Sequence, residues 1–206
     1  MKERLHQLYG SLRDLWRNGL KDYVFQSAAA FFILVLVFFG MGMAMPELQE
    51  KFFSMTQSAM EGAISEDGTI DAAYLLANNI SACGFIMLYG FLPFIRFPAL
   101  PLGINAMVMG CTLVWYVQNG VSVMAYLAGI LPHSIVELPA MFLSFGMGLY
   151  ICDQLTRRIR KDETAQGPWA CTVLLARVHL LVLIPMLCAA SLLEAYVTPC
   201  VLQFFF

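Results

Sequence analysis

Apolar and polar positions along this chain fall into long blocks, not into the short alternation of a soluble fold. Tyr23–Met45 runs for 23 residues without a charge, enough helix to cross the ~30 Å hydrocarbon layer of a bilayer. Further apolar runs occupy Asn79–Ile95, Leu102–Gln118, Val121–Cys152 and Trp169–Leu193. In lipid every backbone polar group must be satisfied internally, so each run is expected to be helical. The pattern predicts an all-α, polytopic membrane protein with about five transmembrane helices, over residues 23–45, 79–95, 102–118, 121–152 and 169–193. Residues 23–206 then form one helical transmembrane domain, with 46–78 as its polar loop.

Three features qualify that layout. Residues 1–22 place Leu5, Leu8, Leu12, Leu15 and Trp16 on one helical face and Arg4, Arg13, Arg17 and Lys21 on the polar side. This is the pattern of a basic amphipathic helix lying in the headgroup region, or of a helix packed on the bundle. Within the polar loop, Leu48, Phe52, Phe53, Met55, Met60 and Ile64 predict a surface helix with one apolar side. The fourth run has 32 residues and contains Pro132 and Pro139; a broken or kinked helix is the expected form, because proline removes an intrahelical bond.

Composition agrees. The 206 residues are 60% hydrophobic and 13% charged, against about 25% charged in soluble domains, and mean hydropathy is +0.71. Net charge is only −2, but the charges are sorted along the chain. Five of the 12 basic residues lie at or before Lys21 and four in Arg157–Lys161, while six of the 14 acidic residues fall between Glu47 and Asp71. By the positive-inside rule the N-terminus and Arg157–Lys161 are cytoplasmic and the 46–78 loop is outside. Five crossings satisfy these clusters. Three crossings plus a re-entrant hairpin of the two short runs have the same parity. Such sorting argues for a lipid bilayer as partner and against nucleic acid. The six cysteines show no CxxC spacing and read as small hydrophobes in helix packing.

Candidate chemistry centres on Leu131-Pro132-His133-Ser134-Ile135-Val136-Glu137-Leu138-Pro139-Ala140. His133 and Glu137 share a helical face one turn apart, at a depth where a carboxylate needs a partner. Glu137 is satisfied by His133 as imidazolium, by holding a proton, or by Arg96 or Arg177 as charge partners from another helix, and Pro132 and Pro139 free backbone carbonyls nearby. The plain alternative is a pair that only locks a helix kink. His-x-x-x-Glu supplies two ligands, so no metal site is expected, and no catalytic set or cofactor motif is seen. Asn78 and Asn79 read as helix caps, Asn105 as a hydrogen-bonding residue between helices, and Gly103, Ala106, Gly110, Gly146 and Gly148 as close-packing positions.

Taken in order, Asn78-Asn79, Asn105 through Gly110, the Pro132–Ala140 stretch, then Gly146 and Gly148 resemble the stage II sporulation protein M family of integral membrane proteins. The similarity covers about Asn78–Leu149, with Ser134 where the family usually has glycine. It implies importance for His133, Glu137, Asn79 and Asn105. It also implies a bacterial inner-membrane component of an envelope complex. The missing catalytic set and the short loops read as a non-enzymatic scaffold that binds other membrane proteins, expected to be a homodimer. A transporter or channel subunit built around the intramembrane His/Glu site is the alternative.

Overall fold

The computed structural model describes residues 10–65 and 69–205. Leu5, Leu8 and Arg4 of the amphipathic segment, and Glu66, Asp67 and Gly68 of the loop, lie outside the described residues.

Among the described residues the secondary structure is helical apart from one bridge, Ile64 to Ile70. Residues 10–15 are helical and pass through a π-turn, Trp16–Leu20, directly into α1 (Lys21–Ala44). Leu15 and Leu20 are buried in the same cluster as Met147, Tyr150 and Cys171, so this segment packs on the bundle. Met45 leaves the helical region at φ −130°, and Pro46 opens α2 (Pro46–Gly62) at a position where its missing N–H costs nothing. The expected amphipathic helix is therefore present. Its apolar side is seated on the bundle, with Phe52 buried and the Phe53 ring stacked on Trp115 at 3.5 Å between centroids.

α3 spans Ala72–Leu88 and ends in a 3₁₀ turn, Tyr89–Phe91. Asp71 caps it, its carboxylate accepting from the amides of Ala73 and Tyr74 at 2.8 and 3.0 Å. This corrects the expectation that Asn78 and Asn79 open the helix: both lie inside it, Asn78 exposed and Asn79 half-buried. The helix also starts seven residues before the apolar run. α4 (Ala99–Gln118) returns antiparallel. The turn before it sits beside the end of α5 (Val123–Ile159), where the Phe94 amide donates to Thr156 Oγ1 at 2.8 Å. The far end of α4 meets α2, where Gln118 hydrogen-bonds Gln49. α3 with its 3₁₀ turn and α4 each supply 20 residues of apolar helix, enough by length and composition to cross a membrane.

α5 is the hub. More than half of its apolar window (56%) is buried, against 17% for α1. It begins at the Ser122 cap and continues through both prolines to Ile159 without a break. Of the expected broken or kinked forms the break is absent: the helix is continuous over 37 residues, about 55 Å at 1.5 Å per residue. Pro132 and Pro139 are seven residues apart and share a face, so both lost bonds fall on one side and the opposite ladder survives. The last helix, α6 (Pro168–Leu202), contains two π-turns, His179–Leu183 and Leu193–Val197. They precede Pro185 and Pro199, where proline cannot donate to the preceding turn and widening relieves its ring. Among the described residues five helices are long and apolar enough to cross a membrane: α1, α3, α4, α5 and α6.

Close approach at small residues closes the bundle. A Cβ built on Gly110 of α4 falls 2.6 Å from the Val35 carbonyl oxygen of α1, and one on Gly146 of α5 falls 2.8 Å from the Val24 amide. Gly148 faces the Ile86 carbonyl of α3 in the same way, at 2.8 Å. Ala106 is fully buried, whereas a Cβ on Gly103 meets nothing within 4 Å. Cys83, Cys111, Cys152 and Cys171 are buried free thiols within this packing.

Candidate functional site

His133 and Glu137 face the same direction on α5, with Nε2 and Oε2 3.9 Å apart and side chains 14% and 27% exposed. That separation is too long for a hydrogen bond. The third member comes from α6. The π-turn Leu193–Val197 carries Glu194 to the pair, so that one donor atom from each of His133, Glu137 and Glu194 lies within 4.8 Å of the others. Thr198, buried at the end of the same turn, places Oγ1 3.3 Å from His133 Nδ1 and 3.3 Å from the Leu193 carbonyl oxygen.

Two cavities flank the imidazole. One of about 190 Å³ reaches Asn105, Ser134 and Glu137. The other, about 410 Å³, reaches Glu194 and Thr198. Both are bounded by Thr56 of α2, Thr112 of α4 and Tyr126 of α5. Thr56 and Thr112 hydroxyls lie 3.4 Å apart, and the Tyr126 hydroxyl donates to the Met109 carbonyl at 3.0 Å. α2 therefore forms a wall of both cavities. That role follows from its apolar side, which anchors it at Phe52 and Phe53.

Asn105 lines the smaller cavity, but its Nδ2 donates to Pro101 of its own helix at 2.8 Å, not to a neighbouring helix. Asn79 is not among the residues lining either cavity. The expected partnership of Glu137 with Arg96 or Arg177 is corrected. Arg96 lines a cleft with Asp153 and Arg160, and Arg177 lines a cavity with Asp14 and Trp169. The carboxylate instead meets a second carboxylate. The expectation of a two-ligand set, too few for a metal, is corrected with it, because Glu194 supplies a third donor. Glu194 stands out in the sequence as an acidic residue in an apolar run five positions before a proline. Its meeting with His133 is set only by the fold.

Chemically, an imidazole and two carboxylates beside a cavity can hold a proton or a metal ion, or pass one between them. Neither the curated proteins nor the solved structures contain a significant match to the chain. The sequence profile described as stage II sporulation protein M matches residues 28–199, which includes all five apolar helices in whole or in part and all three members of the cluster. The chain therefore belongs to the stage II sporulation protein M family.

Proposed function

We propose that this family member is a non-enzymatic, multi-pass protein of the cell membrane that takes up a cation at His133, Glu137 and Glu194, as a transporter or channel subunit does. The observation that carries the reading is the cluster itself, three titratable side chains gathered beside cavities within apolar helices. Each carboxylate in the centre of a membrane helix costs about 2.5–3.5 kcal/mol on insertion scales. Two of them with no arginine or lysine lining their cavities are accounted for by a positive ligand. The orientation that fits has the N-terminus and Arg157–Lys161 on the cytoplasmic side. The proximity of Asp14, Tyr150 and Trp169 around one cavity supports it, because it joins the N-terminal segment to that end of α5.

A second reading, a scaffold that holds partners or a second copy in an envelope complex, is supported by α1. Phe25, Phe32, Ile33 and Leu36 are 51–72% exposed along it, a surface suited to another helix as well as to lipid. Reconstitution into liposomes separates the two. Uptake reading predicts proton or metal-ion flux that falls at least tenfold in E137Q and E194Q. Absence of flux from correctly folded wild-type protein, with specific partners recovered from native membranes, overturns it in favour of the scaffold.

A further inference from the structure

The hydrogen bonds around Thr198 fix the state of the imidazole. A hydroxyl has one proton, and the Thr198 hydroxyl donates it to the Leu193 carbonyl at 3.3 Å. With that proton committed to Leu193 it accepts from His133, which matches the tautomer carrying the ring proton on Nδ1. Nε2 is left as a bare lone pair aimed at the Glu137 carboxylate 3.9 Å away, with the Glu194 carboxylate beside it. Three lone-pair donors converge on one point. That arrangement is repulsive unless a proton or a metal ion lies between them. The outer hydrogen bond on Nδ1 is the kind that orients a metal-ligating histidine and raises its basicity.

We propose that the cluster binds one divalent transition-metal ion, of the Zn²⁺ or Co²⁺ class, through His133 Nε2 and one carboxylate oxygen each from Glu137 and Glu194. The assignment rests on the reading of this cluster as a cation site and names the cation. In their deprotonated, metal-binding forms the two carboxylates and the neutral imidazole carry −2, which a divalent ion cancels and a monovalent ion does not. In an apolar slab that difference is large. The mixed nitrogen and oxygen set selects borderline ions, since Ca²⁺ and Mg²⁺ favour all-oxygen shells and Cu⁺ favours sulfur. Ligands about 2.0–2.2 Å from a tetrahedral zinc lie about 3.3–3.6 Å from one another. The observed 4.8 Å spread therefore closes by more than about 1 Å on binding. Three protein ligands leave a coordination position free, and the cavities on both sides of His133 give it access for water or exchange.

The test uses the full-length chain in lipid nanodiscs, titrated with Co²⁺ and read by its visible absorption, with Zn²⁺ as competitor. Wild type is expected to bind one Co²⁺ per chain. H133A and E194Q should weaken binding by more than about 100-fold. T198V, which removes no ligand, should weaken it by about 10–100-fold, the range of outer-shell partners. Variants are compared only where gel filtration and thermal midpoint match wild type, and E194D, which keeps the donor, should retain binding. Undiminished binding in H133A and E194Q, or no binding to folded wild type, overturns the metal assignment. If Co²⁺ does not bind yet proton flux depends on Glu137 and Glu194, the metal falls and the cation-uptake function stands. Loss of both binding and flux removes both.

Discussion

Gly110 offers the sharpest test of the packing that positions this site. The Cβ of G110A would lie 2.6 Å from the Val35 carbonyl oxygen and 3.0 Å from the Phe39 amide, both backbone atoms of α1. A side chain in the way can rotate aside; a helix backbone cannot. The first contact is about 0.8 Å short of the 3.4 Å at which ordinary van der Waals contact begins. α1 and α4 must part by most of that distance, and a gap of 0.5–1 Å forfeits a quarter to a half of each contact's dispersion well. Overpacking of this kind costs about 1–3 kcal/mol. At roughly 2–4 °C per kcal/mol for a chain of this size, a loss of about 2 kcal/mol lowers the thermal midpoint by about 4–8 °C. The control is G103A on the same helix, where a Cβ meets nothing. A thiol-reactive dye in detergent micelles reports the transition, because Cys111 is fully buried in this interface with its Sγ 3.8 Å from the Phe38 carbonyl oxygen. A G110A midpoint within about 1 °C of G103A would refute this close approach of α1 and α4.

Two further perturbations probe the two ends of the bundle. Asp162 accepts from the Thr164 hydroxyl at 2.6 Å and from Arg157 Nε at 2.8 Å, and these bonds, the hydroxyl first, hold its carboxyl down to about 2. A depressed folded value stabilises above the usual carboxylate range near 3.8 and is lost as pH falls through about 2. The 160–167 loop should thus lose protection from hydrogen exchange over that window, and D162N should lack it already at neutral pH; matching profiles for the two would sink the idea. At the other end, F53A removes the ring stacked on Trp115 and should loosen α2 by about 2 kcal/mol. With Trp16 and Trp169 replaced by phenylalanine, acrylamide quenching of Trp115 should rise, and unchanged quenching would mean that α2 is held by other contacts.

The helices were legible in the sequence where hydrophobicity alone decides them. α1 ends within a residue of its apolar run because Pro46 stops it, and α2 is visible in the spacing of Phe52, Met55 and Met60. α3 was misjudged because an apolar run and a helix end for different reasons. Asn78 and Asn79 interrupt the run but keep their backbone bonds, while the true start lies at Asp71, whose carboxylate takes the free amides. α5 was misjudged in the opposite sense. Two prolines read as a break or a kink, yet spaced seven apart they weaken one side only, and the helix continues unbroken past buried Phe142, Phe145 and Ile151.

Half of the site was readable for the same reason that α2 was: His133 and Glu137 are four apart, and helix geometry alone joins them. Glu194 depended on register. In an unbroken helix from Pro168 its direction follows from counting about 100° per residue. A π-turn inserts one residue's worth of chain, so His179–Leu183 rotates everything beyond it by about 100°. The second π-turn, forced by Pro199, then bears Glu194 and sets Thr198 against His133. The prolines of α6 thus act on the site without touching it. They turn a carboxylate that a helical wheel would place elsewhere toward a histidine 61 positions earlier in the chain. The same reasoning explains why the wrong partners were expected: Arg96 and Arg177 carry the right charge, but each belongs to the end of the bundle that holds Arg160 and Trp169. Charge complementarity proposed a salt bridge. Helix register delivered a third acceptor, and with it a cluster of one imidazole and two carboxyl groups.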